Sequence, residues 1–154
     1  MSPEEADPTG ALAAREIVST RIIDFPRGLV FKAFSDSDQL VHWWGPKGFT
    51  NTFHEFAMRP GGVWRFVMHG PDGVNYPNES VFVEVAEPER IVFRHVSGPR
   101  FEMTVTLAEH GGRTKLTWRM LFESAVECEK VRKFAVDANE QNFDRLEAQL
   151  AKLA

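Results

Sequence analysis

Five histidines, one cysteine and a scatter of carboxylates are the groups here that could do acid–base, nucleophilic or metal chemistry. His42, His54, His69, His95 and His110 include no pair at i, i+4 helical spacing, and Cys128 is the only cysteine, so neither a zinc site nor an intramolecular disulfide is expected. His95 stands apart. A hairpin at Glu87-Pro88-Glu89-Arg90 would set Val85 opposite Ile91, Val83 opposite Phe93 and Val81 opposite His95, turning His95 inward. Glu79, two residues before Val81, would then face the same way. A histidine and a carboxylate in an apolar pocket can orient a ligand head group or move a proton; the plainer outcome is a buried pair that only satisfies itself. Cys128 opens a long helix, where the dipole favours a thiolate, but no base is identifiable beside it and an inert thiol is expected. No catalytic residue, metal ligand or cofactor is assigned.

The elements that must position these groups follow from the pattern of the chain. Residues 1–14 are expected to be a flexible tail, with Pro, Glu and Asp prominent through Gly10 and little there to bury. Residues 15–154 form one domain. Arg15 to Asp24 suits a strand at a sheet edge, Pro26 opens a first short helix, and Asp36 or Ser37 caps a second that stops at Gly45-Pro46. Six strand-like runs follow: Phe49–Phe56, Val63–His69, Asn78–Ala86, Ile91–Val96, Phe101–Ala108 and Thr114–Phe122. The short links between them imply an antiparallel meander. Gly61-Gly62 and Gly111-Gly112 are expected to supply positive φ in turns rather than a phosphate cradle. From about Val126 to Leu153 there is no Gly or Pro, and Val131, Phe134, Ala138, Phe143, Leu146, Leu150 and Leu153 recur at helical spacing.

An α+β architecture buries all of these apolar faces: seven antiparallel strands curved around one long C-terminal helix, with the two short helices closing an end. Alternation places Trp64, Phe66 and Met68 on one face, and likewise Phe101 with Met103 and Trp118 with Met120. With 13 Phe and 4 Trp against 1 Tyr, the inward surface is ring-rich and contains few polar groups. A curved sheet and a single helix leave room between them, so this surface is expected to line a cavity for a small apolar or aromatic molecule. The proposed lining is Trp64, Phe66, Met68, Phe93, Phe101, Met103, Trp118 and Met120, with His95 and Glu79 as polar contacts. At least one of Trp43 and Trp44 is expected to be a structural plug at the open end between sheet and helix; the alternative makes one of them a wall or lid of the cavity mouth. Asn142 and Arg145 are further polar candidates on the last helix, whose phase the sequence leaves open.

Composition narrows the function classes. The net charge is −4, and no cluster of Lys or Arg makes a nucleic-acid footprint. No apolar stretch reaches membrane-spanning length, and the N-terminus does not read as a secretory signal, so a cytoplasmic protein is expected. A monomer and a homodimer are both compatible with half-exposed sheet edges.

Three segments carry a resemblance: Trp43-Trp44-Gly45-Pro46, Arg59-Pro60-Gly61-Gly62-Val63-Trp64-Arg65-Phe66 and Glu87-Pro88-Glu89-Arg90-Ile91-Val92. In this order and spacing they resemble bacterial proteins similar to the C-terminal domain of the Aha-type activator of heat-shock-protein-90 ATPase, within the START-like, SRPBCC helix-grip superfamily. The resemblance spans about Arg15 to Leu153 and implies the helix-grip fold. The superfamily spans ligand carriers, cyclases and chaperone accessory domains, so three functions are carried: a binding module for a small hydrophobic or aromatic ligand, a cyclase- or aromatase-like enzyme in which the residues placed inward by register, His95 or Glu79, would transfer the proton, and an accessory to a chaperone ATPase. The short segment before Arg15 is not expected to supply a counterpart of the separate N-terminal chaperone-contacting domain of the eukaryotic activators, and the family supplies no general catalytic residue.

Overall fold

Apolar–polar alternation over consecutive segments, each closed by Gly or Pro, builds one sheet. The computed structural model describes residues 13–154; the expected tail lies, except for its last two residues, outside the described residues. The order is β1 (Glu16–Ile23), α1 (Arg27–Ser35), α2 (Ser37–Trp43), β2 (Thr50–Phe56), β3 (Val63–His69), β4 (Asn75–Ala86), β5 (Arg90–His95), β6 (Phe101–His110), β7 (Arg113–Phe122) and α3 (Ala125–Leu153). The seven strands pair antiparallel in the order β1-β7-β6-β5-β4-β3-β2, so β1 and β2 are the edges. Strands β6 and β7 run further than expected, because only Gly111 and Gly112 turn between His110 and Arg113, both at positive φ (58° and 83°). Gly62 serves a different purpose from the one expected. Gly61 alone of that pair has positive φ, and a Cβ on Gly62 would stand 1.8 Å from the Ala57 carbonyl oxygen.

The β4–β5 pairing departs from the simple hairpin. Val85 does face Ile91, but the register shifts between Phe82 and Glu84, so Phe82 lies opposite Phe93 and Ser80 opposite His95. Val83 is the extra residue of a β-bulge, and it is exposed. One inserted residue exchanges the two faces for everything beyond it. The expectation for Glu79 is therefore corrected: it is exposed, lies across from Arg65 on the outer face, and leaves Asn78 and Ser80 to face inward.

Helix α3 starts at Ser124, whose hydroxyl accepts from the Glu127 N–H at 3.2 Å. Its buried stripe runs through Cys128, Val131, Ala135, Asn139, Asn142, Phe143, Leu146, Gln149 and Leu150. Phe134 is off this stripe and 63% exposed, contrary to its expected place in the core. The polar members are buried because each has a partner: Asn139 donates to Ser19 Oγ at 3.1 Å, and Gln149 donates to Gln39 Oε1 at 2.6 Å. Arg21 on edge strand β1 ties the sheet to the helix, reaching Glu140, Asp144 and Glu147 at 2.8, 2.7 and 2.8 Å. Partial burial opposes its charge, but the three carboxylates hold its pKa above the ordinary value. Its guanidinium also lies 5.5 Å from the centre of the Phe143 ring.

Candidate functional site

Between the concave face of the sheet and the middle of α3 lies a half-open cavity of about 180 Å3. Alternation on unbroken strands supplies most of its wall. Trp64, Phe66 and Met68 come from β3, Phe93 and His95 from β5, Phe101 and Met103 from β6, and Trp118 and Met120 from β7. The structure thus brings together nine of the ten expected lining residues and leaves out Glu79. From α3 the cavity receives Ala138, Asn139 and Asn142, and from the α2–β2 loop Trp44, Gly45 and Pro46. None of the described residues lining it is Lys, Arg, Asp or Glu.

The two adjacent tryptophans divide the work. Trp43 is buried, its Nε1–H donates to the Ala33 carbonyl at 3.0 Å, and its ring meets Phe34 edge-on at 4.8 Å, so it is the plug. Trp44 is the wall, with ring centres 5.0 Å from Trp64, 5.3 Å from Trp118 and 6.2 Å from Phe93. On its other side, toward α1 and α2, only about 10 Å3 of space is left between Phe34, Leu40, Trp44 and the sheet.

Helix α3 fixes the loop that carries this wall. Asn142 Nδ2 donates to the Trp43 carbonyl at 2.7 Å, and its Oδ1 accepts from the Gly45 N–H at 3.1 Å. The Arg145 guanidinium donates to the carbonyls of His42, Trp44, Gly45 and Pro46 at 2.8–3.2 Å. Burial lowers the pKa of Arg145. The two residues that the sequence left unplaced are therefore the clamp of the Trp-Trp-Gly-Pro segment. Gly45 has φ +99°, a backbone conformation that favours glycine, and a Cβ there would also have to displace the flexible end of Met68, whose Cε would lie 2.7 Å away.

His95 closes one end of the cavity. Its Nδ1–H donates to the Pro99 carbonyl at 2.7 Å, which leaves Nε2 as the acceptor of the neutral ring. The Ser97 hydroxyl, 3.3 Å away, can donate to it, while Asn78 Oδ1 at 2.7 Å suits a protonated Nε2. The ring thus has partners in either charge state. Burial opposes the charged ring and lowers its pKa below the ordinary value, partly offset by the Pro99 carbonyl. The ring stacks on Phe101 at 4.9 Å, and these two residues also line a surface cleft of about 240 Å3 whose rim carries Arg15, Arg94 and Arg100. His54 and His110 are exposed, and His69 is bonded to Thr52 and Asn75 at 2.7 Å each. Cys128 is buried, and desolvation raises its thiol pKa against the pull of Arg132. Among the described residues no cluster of His, Cys, Asp and Glu could hold a metal ion.

Sequence reasoning missed Asn78 and Ser80, which the bulge at Val83 brings inward, and Asn139, a polar residue on an apolar stripe. It also missed a mismatch in hydrogen bonding. Trp64 Nε1, Trp118 Nε1 and Ser80 Oγ are buried, and among the described residues none has a partner within hydrogen-bond distance. All three belong to cavity-lining residues.

Comparison with known proteins places this architecture. A crystallised protein of Nitrosomonas europaea superposes with a TM-score of 0.84 at 19% identity, over 92% of this chain and 97% of that one. The solution structure of an Arthrobacter aurescens protein gives 0.84 at 23% identity, over 92% and 88%. An AHSA1-like protein of Aeromonas hydrophila gives 0.73 at 18%, over 90% and 93%. These likenesses establish the fold. No curated protein matches the sequence significantly. The profile of the family described as activator of Hsp90 ATPase homolog 1-like protein matches residues 24–151, from the end of β1 to the last turns of α3. The chain belongs to this AHSA1-like family, with its START-like helix-grip fold.

Proposed function

We propose that this protein binds a small hydrophobic, aromatic molecule in the cavity between sheet and α3, without a reaction of its own. The observation that supports this most is the cavity itself: about 180 Å3 walled by aromatic rings and methionines, with no Lys, Arg, Asp or Glu among the described lining residues. Sites for drug-sized ligands run from roughly 300 Å3 upward, whereas an apolar hole of about 150 Å3 takes benzene. The ligand is accordingly of single-ring size. Methionines at Met68, Met103 and Met120 give the wall some capacity to adapt. Of the two residues expected to serve a cyclase-type proton transfer, His95 or Glu79, only His95 is at the cavity, since Glu79 is on the opposite face. A chaperone-accessory role is suggested by the family's description alone.

Titration with toluene and 2-phenylpropene, followed by tryptophan emission, tests the proposal. Trp44, Trp64 and Trp118 line the cavity, so saturable binding should change the emission, and Ala138→Leu, which fills the cavity from the helix side, should abolish the change. An unchanged emission, with no molecule retained on the protein from its own host in native mass spectrometry, would end it.

A further inference from the structure

Strands β5, β6 and β7 share one end of the sheet, and their register sets two rows of side chains there. His95, Phe101 and Phe122 make the inward row; Arg94, Glu102 and Leu121 make the outward one. A surface cleft of about 240 Å3 wraps over this end and is lined by both rows. The chain around it adds Arg100 from the β5–β6 loop, Glu123 just after β7 and Arg15 just before β1. His95 and Phe101 also line the interior cavity, so their stacked rings stand between two spaces of opposite character. The cavity has no Lys, Arg, Asp or Glu among its described lining residues, whereas the cleft has three arginines and two glutamates.

The arginines are only lightly committed. Arg94 donates through Nε to Glu102 at 3.2 Å, and neither of its Nη groups has a partner among the described residues. Arg100 Nε stands 4.0 Å from Glu123, beyond hydrogen-bond distance, and Arg15 reaches the Phe122 carbonyl through Nη1 at 3.4 Å. Exposed pairs of this kind add little to stability and leave the guanidinium forks open. Such a fork matches an oxyanion two bonds at a time, and every cation at the cleft is arginine.

Charge then selects among oxyanions. Three guanidiniums against two carboxylates leave one positive charge, and burial favours the neutral form of His95, which adds none. A monoanion is balanced there, whereas a second negative charge would face Glu102 and Glu123. Between the charged groups the surface is apolar, formed by Val96, Phe101, Leu121 and Phe122. An apolar hole of about 150 Å3 takes benzene, so the cleft has room for one ring and a carboxylate.

We infer that this cleft is a second binding site, independent of the interior cavity, for a small carboxylic acid. Its carboxylate pairs with the rim arginines Arg94 and Arg100, and its apolar body lies on Phe101 and Leu121.

Three probes test this at neutral pH: phenylacetate, its uncharged isostere phenylacetamide, and the dianion phenyl phosphate. Binding is followed in 1H–15N correlation spectra of the wild-type protein and measured by calorimetry. Phenylacetate should shift the backbone amides of Val96, Arg100, Phe101 and Glu123 saturably and leave the indole signals of Trp64 and Trp118 in place. Phenylacetamide should bind far more weakly, and phenyl phosphate more weakly than phenylacetate. Arg94→Gln and Arg100→Gln replace exposed side chains, and each should lower the phenylacetate affinity about 5-fold. Rising salt should weaken binding of the acid and not of the amide. Equal binding of the amide, or an unchanged affinity in both variants, would overturn recognition of the anion. Tighter binding of phenyl phosphate would overturn the monoanionic class. No shift at the cleft amides, or shifts confined to the indoles, would overturn the site itself and leave the cavity proposal untouched.

Discussion

The wall made by Trp44, Trp64 and Phe93 has two sides built from the same kinds of residue, and they differ in what they leave open. Toward α1 and α2, Phe34, Leu40, Phe82, Ile91 and Val105 close up to about 10 Å3, and Trp43 finds a carbonyl for its N–H. Toward α3, about 180 Å3 stays open, and Ser80 and Trp118, which line that side alone, each carry a buried polar atom with no partner among the described residues, while Trp64, with a third, borders both sides. Aromatic content alone therefore does not mark a binding site. What separates the two sides is volume together with unmet hydrogen-bonding capacity, the usual profile of a site that gives up stability for function.

Truncation on the packed side should have the largest effect. Phe34 is buried and edge-on to both Trp43 and Trp118, at 4.8 and 6.5 Å, so Phe34→Ala creates a new hole and should destabilise by about 3–5 kcal/mol. Met68→Ala, on the cavity side and only partly buried, borders space that is already open and should lose about 1 kcal/mol. Urea midpoints at constant m-value measure both. Equal losses would mean that the two sides are packed alike.

The clamp between α3 and the Trp-Trp-Gly-Pro loop ranks next. Arg145→Ala strips donors from four carbonyls and should cost about 2 kcal/mol. Arg145→Lys should not restore it, because an ammonium cannot spread its donors over that fork. Full recovery with lysine would reduce the clamp to a simple charge effect.

These comparisons bear on what could be read before the structure. Strands β3, β5, β6 and β7 alternate without interruption at their inward positions, and nine lining residues could be assigned by parity. On β4 the run Val81-Phe82-Val83 is apolar at three successive positions, so parity carries no information there. The bulge at Val83 is a backbone event with no side-chain signature, and it moved Glu79 outward and Ser80 inward. The helix failed for a related reason. Asn139 and Asn142 sit on the buried stripe because Ser19, Gly45 and Trp43, distant in sequence, offer partners. Apolar spacing alone drew Phe134 into the core instead. Periodicity captures burial that serves the hydrophobic effect and misses burial secured by long-range hydrogen bonds.

His95 sharpens the comparison through pH. Its folded pKa lies below the ordinary value near 6.5, so the unfolded chain takes the proton first as pH falls. The stabilisation from the neutral ring is complete above about 6.5 and is lost as acidification proceeds toward the folded pKa. His95→Gln should flatten this limb of the stability profile. The reverse slope would mean that Asn78 and Pro99 hold the ring as an imidazolium.

Ser80 gives the smallest effect and the most specific one. A buried serine is normally worth keeping because its hydroxyl bonds to something, and removing it then costs about 1 kcal/mol. Here the hydroxyl is unpaired among the described residues, and the side chain is 1% exposed. Ser80→Ala removes an unmatched polar atom at almost constant shape, so stability should stay level or rise by up to about 1 kcal/mol. A loss of about 1 kcal/mol at the urea midpoint would instead mean that the hydroxyl is bonded in the core.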